Sequence, residues 1–311
     1  MMPPLDQPVV WPVMLTPFDD RREIDWRSLE RLIDWYIAAG VQGLFANCQS
    51  SEMFYLSESE SLRLTRFVVD YVDQRLPVIA SGHTACGLSQ QIEQLSWIAE
   101  TGVDGVIMIS NRLAMPGEDD DVVLDTLARV TSALPKSTPL GIYECPQPYK
   151  RLLSDETIAW CAHSGRFAFI KDTCCHIETI RRRLSLMQGS PLRLANANGQ
   201  TLLASLQAGG HGYSGIMTNF HPELYVWLCR HWQDQPEEAA LLADYLGTAS
   251  LIEYLEYPVC AKDFQVHLGN FSSLASRARD ATNYLANHYP LNVQQVLRMG
   301  ERFRHRLDIA A

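Results

Sequence analysis

The 311-residue chain is predicted to be an α/β protein, a single (β/α)8 TIM barrel with a C-terminal helical extension. Three observations predict it. A short apolar, β-branched run followed by an amphipathic run recurs eight times. Helix start and stop signals fall at the boundaries of those runs. A barrel needs about 250 residues, so a chain of this length holds one barrel and an appendage.

In order, each strand with its helix, the units read 9–18 with 27–39, 42–47 with 57–73, 77–83 with 88–100, 105–110 with 120–133, 139–145 with 154–163, 167–173 with 176–187, 192–197 with 200–208, and 213–218 with 222–232. Ser57 and Glu60 have the spacing of a capping box, and Ser154 with Asp155 and Glu156 places a cap and acids on a first turn. Gly40, Gly102 and Gly209 stand where helices stop. Alternation of strand and helix implies parallel pairing. Eight units favour closure over an open doubly wound sheet, and no G-x-G-x-x-G follows the first strand. Beyond Trp232 the pattern becomes helical without strands, over 236–256, 261–268, 274–288 and 293–306. The expected division is therefore a catalytic barrel at 9–232 and an extension at 233–311, packed on the barrel or on a neighbouring subunit.

A hydrophobic fraction of 47% supports a large core, and a net charge of −10 repels phosphate backbones, so nucleic acid is not an expected partner. No apolar run approaches the ~20 residues needed to span a bilayer. The first seven residues have neither a basic nor an apolar segment of a signal peptide. Eight scattered cysteines without a CxxC pair read as reduced thiols. The expectation is a cytoplasmic protein that needs no cofactor and no membrane.

In a parallel barrel the active site lies at the carboxyl ends of the strands. Only one of the four lysines, Lys171, ends an aromatic-rich strand, in Phe167-Ala168-Phe169-Ile170-Lys171. An ammonium in an apolar pocket loses stability, so some of it becomes free amine, which attacks ketones. A structural lysine paired with Asp172 or with an interior carboxylate is the equal alternative from position alone. Tyr143 ends the preceding strand, about 4.8 Å away across a parallel pair, and can transfer protons to a carbinolamine; alone it reads more readily as a core tyrosine with a buried partner. After the second strand, the turn Cys48-Gln49-Ser50-Ser51-Glu52 offers N–H and O–H donors suited to a carboxylate, with Glu52 a candidate cap of the turn.

Together these segments resemble the dihydrodipicolinate synthase / N-acetylneuraminate lyase superfamily over residues 9 to about 290. The opening VMLTPF at 13–18 is similar to that family's, and Cys48–Glu52 stands where the family has G-[ST]-T-G-E. Tyr143-x-x-Pro146 and Ile170-Lys171-Asp172-Thr173 are similar to its tyrosine and Schiff-base lysine motifs, and Gly210-x-Gly212-Tyr213-Ser214-Gly215 with Asn219 resembles its eighth-strand segment. The resemblance implies that Lys171 forms the Schiff base and Tyr143 relays protons. Ser50, with the Ser51 backbone, would bind the carboxylate of a 2-oxo acid. Thr173 would be a substrate-side hydroxyl, Gln49 and Ser214 would line the site, and the assembly would be a homotetramer, a dimer of dimers. The chain departs from the synthase branch at Gln49, at Asn111-Arg112-Leu113 in place of a tyrosine pair, and at Pro148 in place of an arginine. The lyase branch's sugar-binding acids are replaced by Asn198-Gly199-Gln200.

The expected function is thus a class I lyase, an aldolase, synthase or dehydratase acting on pyruvate or a related 2-oxo acid, and not the synthase reaction itself. Two alternatives remain open at this point, a retired barrel that binds a small acid and a metal-dependent class II aldolase. None of the nine histidines forms a metal-binding doublet; His83 is a candidate for lining the site, Glu118–Asp121 reads as a helix start, and Arg181-Arg182-Arg183 reads as a solvated helix face.

Overall fold

The computed structural model describes residues 7–309; the amino-terminal stretch read above for a signal peptide lies outside them, apart from Gln7. Eight strands, β1 (Val9–Val10), β2 (Leu44–Ala46), β3 (Val78–Ala80), β4 (Gly105–Ile109), β5 (Leu140–Tyr143), β6 (Phe167–Asp172), β7 (Arg193–Asn196) and β8 (Gly212–Tyr213), form one sheet in the order β1-β8-β7-β6-β5-β4-β3-β2. Every pair is parallel. The two ends of that order meet where Val13 bridges Phe45, with Phe45 N–H donating to the Pro12 carbonyl at 2.8 Å and Met14 N–H to the Phe45 carbonyl at 3.0 Å. The eight-unit reading holds, and the barrel is curled shut along this seam.

Between the strands run α1 (Trp26–Ala38), α2 (Glu58–Val72), α3 (Leu88–Ala99), α4 (Asp120–Ala133), α5 (Asp155–Ser164), α6 (Ile177–Leu186), α7 (Leu202–Gln207) and α8 (Pro222–His231). Their starts are chemically marked. Ser57 and Glu60 form the reciprocal capping box, and the Asp25, Asp119 and Ser154 side chains accept first-turn N–H groups. The strands alternate sides, as the pleat requires. One set of side chains joins the layer between sheet and helices; the other, including Trp11, Phe45, Ile107, Ile109, Tyr143 and Phe169, fills the barrel interior. Gly141 sits on the interior face, where a Cβ would lie 2.5 Å from Ile107 Cδ1 and 2.9 Å from the Phe169 carbonyl oxygen, so the absent side chain makes room for close packing below Tyr143.

Three expected elements come out differently. The predicted strand at 9–18 is paired as a strand only at Val9–Val10, because Pro12 and Pro17 have no N–H for a ladder; Phe18 instead bridges Ile24 in antiparallel sense. The predicted strand at 213–218 ends at Tyr213 and turns into a 3-10 segment at Ile216–Asn219. The predicted helix at 274–288 is helical only at Ala281–Ala286.

That last difference has a clear cause. In the extension, α9 (Pro236–Ala249), α10 (Val259–His267), α11 (Ala281–Ala286) and α12 (Tyr289–Arg306) follow without strands among the described residues. Glu52, in the turn after β2, sends its carboxylate into this extension. It pairs with Lys262 at 2.5 Å and accepts from Ser276 Oγ at 2.9 Å, Arg277 N–H at 2.6 Å and Ala278 N–H at 2.8 Å. Those N–H groups are therefore not available to a helix. Glu52 does not cap its own turn, as the sequence suggested; it clamps the extension to the barrel. Its backbone is left-handed at φ 60°, a conformation held by the contacts around it.

Lys262 and Glu52 are both buried. Replacing Lys262 with methionine keeps the volume and leaves the carboxylate without its cation. The Lys262→Met protein should unfold more easily by about 3 kcal/mol, measured as a lower urea midpoint; an unchanged midpoint would show that the pair contributes no net stability.

Candidate active site

Lys171 and Tyr143 stand directly opposite each other in the β5–β6 register, at the carboxyl ends of both strands. Strand alternation sends Lys171 into the barrel and Asp172 outward toward the helices. The Lys171 side chain is buried, and its Nζ lies over the Tyr143 ring, 4.2 Å from the centroid, with Phe45 a second ring at 5.9 Å. Among the described residues no carboxylate is within ion-pair distance of this amine. Burial lowers its pKa to about 8, opposed only by the nearby thiols of Cys48 and Cys145. At pH 7 about one such amine in ten is neutral, against about one in three thousand for an ordinary lysine.

Asp172, the expected partner in the structural reading of Lys171, is committed elsewhere. It pairs with Arg183 of α6, which also pairs with Glu144 at 2.6 Å and donates to the Leu153 carbonyl at 2.7 Å. Arg183 is therefore buried, correcting the reading of 181–183 as a solvated face. It lies one turn after Ile180, on the side of α6 that meets the sheet, whereas Arg181 and Arg182 are exposed beside Glu178 and Asp155. Glu144 also accepts from Leu153 N–H at 2.8 Å and Thr173 N–H at 2.7 Å. This ion cluster ties the ends of β5 and β6 together from outside the barrel, which holds Tyr143 and Lys171 in register on the inside.

Burial keeps the Tyr143 hydroxyl well above the usual phenol range, so it remains protonated, with the Cys145 thiol nearby. That thiol, itself pushed up to about 11 by burial, shares its single S–H between Gln49 Oε1 and the Gln147 carbonyl, each at 3.3 Å. Gln49 thereby meets Cys145 across 96 positions, a contact that sequence reading did not anticipate.

The other expected residues lie around the same end of the barrel with different hydrogen-bond commitments. Ser50 Oγ accepts from the Tyr257 hydroxyl at 2.8 Å. The Ser51 N–H closes its own turn onto the Cys48 carbonyl at 3.0 Å, and its hydroxyl accepts from Cys48 N–H and donates to the Met14 carbonyl at 2.7 Å. The Ser51 N–H expected to meet a carboxylate is thus bonded within its own turn. The hydroxyls of Thr173 and Ser214 donate to the carbonyls of Glu144 at 2.9 Å and Trp11 at 3.0 Å. His83 is fully buried, where burial lowers its pKa to about 3, and its neutral ring accepts from Ile109 N–H at 2.7 Å rather than facing a ligand. Asn111 donates to the carbonyls of Cys145, Gln147 and Tyr149, so the residue found in place of a tyrosine pair holds the loop after β5.

A cavity of about 370 Å³ opens over these strand ends, lined by Gln49, Phe54, Gln147, Tyr257 and, from the extension, Ala278 and Arg279. Lys171 is not part of that lining. A larger cavity of about 870 Å³ lies before β7 and β8, at the amino ends of the strands, beside Arg181, Arg193 and His211. The smaller one is the site candidate, because parallel barrels carry their chemistry at the carboxyl ends. Sequence reading missed Tyr257 entirely, since it follows no strand and lies 207 positions from Ser50.

The chain is similar to known proteins over nearly its whole length. The 4-hydroxy-tetrahydrodipicolinate synthase of Saccharophagus degradans is 26% identical over 290 residues, covering 92% of this chain and 96% of that protein. Among solved structures, dihydrodipicolinate synthase from Bacillus anthracis superposes with a TM-score of 0.84 at 18% identity, covering 94% of this chain and 98% of that one. YagE of Escherichia coli K12, a prophage protein of the dihydrodipicolinic acid synthase family solved in complex with pyruvate, superposes with a TM-score of 0.82 at 22% identity, covering 97% and 99%. The profile described as the Dihydrodipicolinate synthetase family matches residues 8–255. By that match, this chain belongs to the dihydrodipicolinate synthetase family and is an enzyme of the lyase class.

Proposed function

We propose that the protein is a class I, Schiff-base-forming lyase that takes pyruvate or a closely related 2-oxo acid and makes or breaks a carbon–carbon bond, or removes water, next to the imine carbon. One observation carries the proposal: a buried amine with no carboxylate partner among the described residues, its pKa lowered to about 8, held over the ring of Tyr143. Neutral Lys171 attacks the C2 carbonyl. Tyr143 delivers a proton to the resulting carbinolamine oxygen, which leaves as water, and the iminium so formed draws electrons from C3. Loss of a C3 proton gives an enamine that adds to an aldehyde; the reverse order cleaves.

Ser50 is assigned to the substrate carboxylate and Gln49 to the mouth of the cavity. Ser51, Thr173 and Ser214 shape the walls, since their hydroxyl protons are bonded to main-chain carbonyls. The synthase reaction itself is not proposed, because Gln49 cannot pass a proton as a hydroxyl would and its amide oxygen is already bonded to Cys145. The proposal places the enzyme in the cytoplasm as a homotetramer. Among the described residues no helix is long and apolar enough to cross a membrane.

Borohydride added with pyruvate should leave a reduced adduct on Lys171, located by peptide mass mapping, and the Lys171→Met protein should give none. An adduct on another residue removes the proposal. Activity abolished by a chelator points to a class II mechanism, and an adduct without consumption of any 2-oxo acid assigns the site to binding alone.

The pH dependence has a definite sign. The reactive form is the neutral amine, so the rate of iminium formation, trapped with cyanoborohydride, should rise about tenfold per pH unit below pH 8 and level off above it. A rate still climbing through pH 9.5 would mean an ordinary lysine.

Tyr143→Phe keeps the ring under the amine and removes the proton. Adduct formation should slow by about a hundredfold with little change in thermal stability, followed by trapping time courses and calorimetry.

A further inference from the structure

The turn that holds Ser50 is touched by the barrel on one side and by the C-terminal extension on the other. The extension's contribution includes a phenol. Tyr257, between α9 and α10, is half-buried and places its hydroxyl 2.8 Å from Ser50 Oγ. The same phenol oxygen receives the Asn219 side-chain amide, Nδ2, at 3.2 Å.

The directions of these bonds can be worked out. Asn219 Nδ2 also donates to the Val13 carbonyl at 2.9 Å and the Ile216 carbonyl at 3.0 Å, while Asn219 Oδ1 accepts from the Tyr36 hydroxyl at 2.5 Å. Carbonyls only accept, so the nitrogen of the amide must face Val13, Ile216 and Tyr257. The two Asn219 protons are shared among these three acceptors, and an amide nitrogen does not accept, so Tyr257 can only accept there; its own single proton goes to Ser50 Oγ, the acceptor it has among the described residues. Burial keeps that phenol well above its usual range and so protonated. Ser50 Oγ is then already an acceptor, and its own proton is free to point elsewhere. The outcome is a one-way series from Tyr36 through Asn219 and Tyr257 that ends in a hydroxyl donor beside the catalytic cavity.

We infer that Tyr257 is a positioning residue, supplied by the C-terminal extension, that turns the Ser50 hydroxyl into a fixed donor for the carboxylate of the 2-oxo acid. This inference rests on the Schiff-base reading of the same site. It means that the barrel alone does not contain a complete binding site. The Glu52 clamp on Lys262 and on residues 276–278 serves the same end from the other side of the turn. A hydroxyl whose proton is already aimed does not have to be reoriented when a carboxylate arrives, and a hydrogen bond to a charged acceptor is among the stronger kinds.

The test uses the full chain and pyruvate, since trapping on Lys171 requires no second substrate. The pyruvate concentration giving half-maximal borohydride adduct is compared in wild type, Tyr257→Phe, Ser50→Ala and the double variant. Tyr257→Phe should raise that concentration about tenfold and leave the maximal adduct on Lys171 unchanged. The double variant should be no worse than Ser50→Ala, since Tyr257 acts through Ser50. A purely packing role for Tyr257 would lower the melting temperature and leave both the half-saturation and its coupling to Ser50 unmoved. Half-saturation in Tyr257→Phe within about twofold of wild type, or additive effects in the double variant, overturns the inference. If Tyr257→Phe does not fold, Tyr257→Met fills the volume without a hydroxyl and is read by the same criteria. Absence of any wild-type adduct at Lys171 would instead remove the underlying functional reading, so the two failures are distinct.

Discussion

The structure turns on an amine that has been taken out of water without being given a carboxylate. Most buried lysines are paired, and Lys262 of this chain shows the usual solution, with Glu52 at 2.5 Å. Lys171 shows the other. Its neighbours are aromatic faces and thiols, and the two carboxylates nearest in sequence and register, Asp172 and Glu144, are held outside the barrel by Arg183. Had either faced inward, it would have stabilised the ammonium and raised the pKa that burial lowers. The buried arginine thus serves the site by keeping negative charge away from it, while tying β5 and β6 in the register that puts phenol against amine.

The same division of labour governs the turn after β2. Backbone geometry there is demanding, with Asn47 and Glu52 both in left-handed conformations. Ser51 ties the turn to the segment after β1 through Met14 and Thr16, and Glu52 and Ser50 tie it to the extension through Lys262, residues 276–278 and Tyr257. Elements far apart in sequence therefore converge on five residues. A binding turn anchored from several directions keeps its donors in place without help from the ligand, which lowers the ordering cost of binding.

The fold was legible in the chain because its signals are local. Apolar periodicity, caps such as Ser57 with Glu60, and helix-ending glycines act within a few residues, and those features located all eight βα units. The failures were local competition decided at a distance. The run at 9–18 has the composition of a strand, but Pro12 and Pro17 interrupt its ladder. The stretch at 274–288 has the composition of a helix, but its N–H groups bond to a carboxylate from the other end of the chain. Arg183 is indistinguishable in sequence from its two exposed arginine neighbours, and only the packing of α6 against the sheet separates them.

By itself, then, the sequence determined that strands alternate with helices, that Lys171 and Tyr143 end adjacent strands, and that a turn of small hydroxyl residues follows β2. These follow from side-chain period and from motifs a few residues long. Tertiary structure alone decided that Lys171 has no carboxylate partner among the described residues, that Gln49 is bonded to Cys145, and that Tyr257 meets Ser50 across 207 positions. Hydrogen bonds and desolvation depend on distances in space, and a linear chain records only the separation along itself.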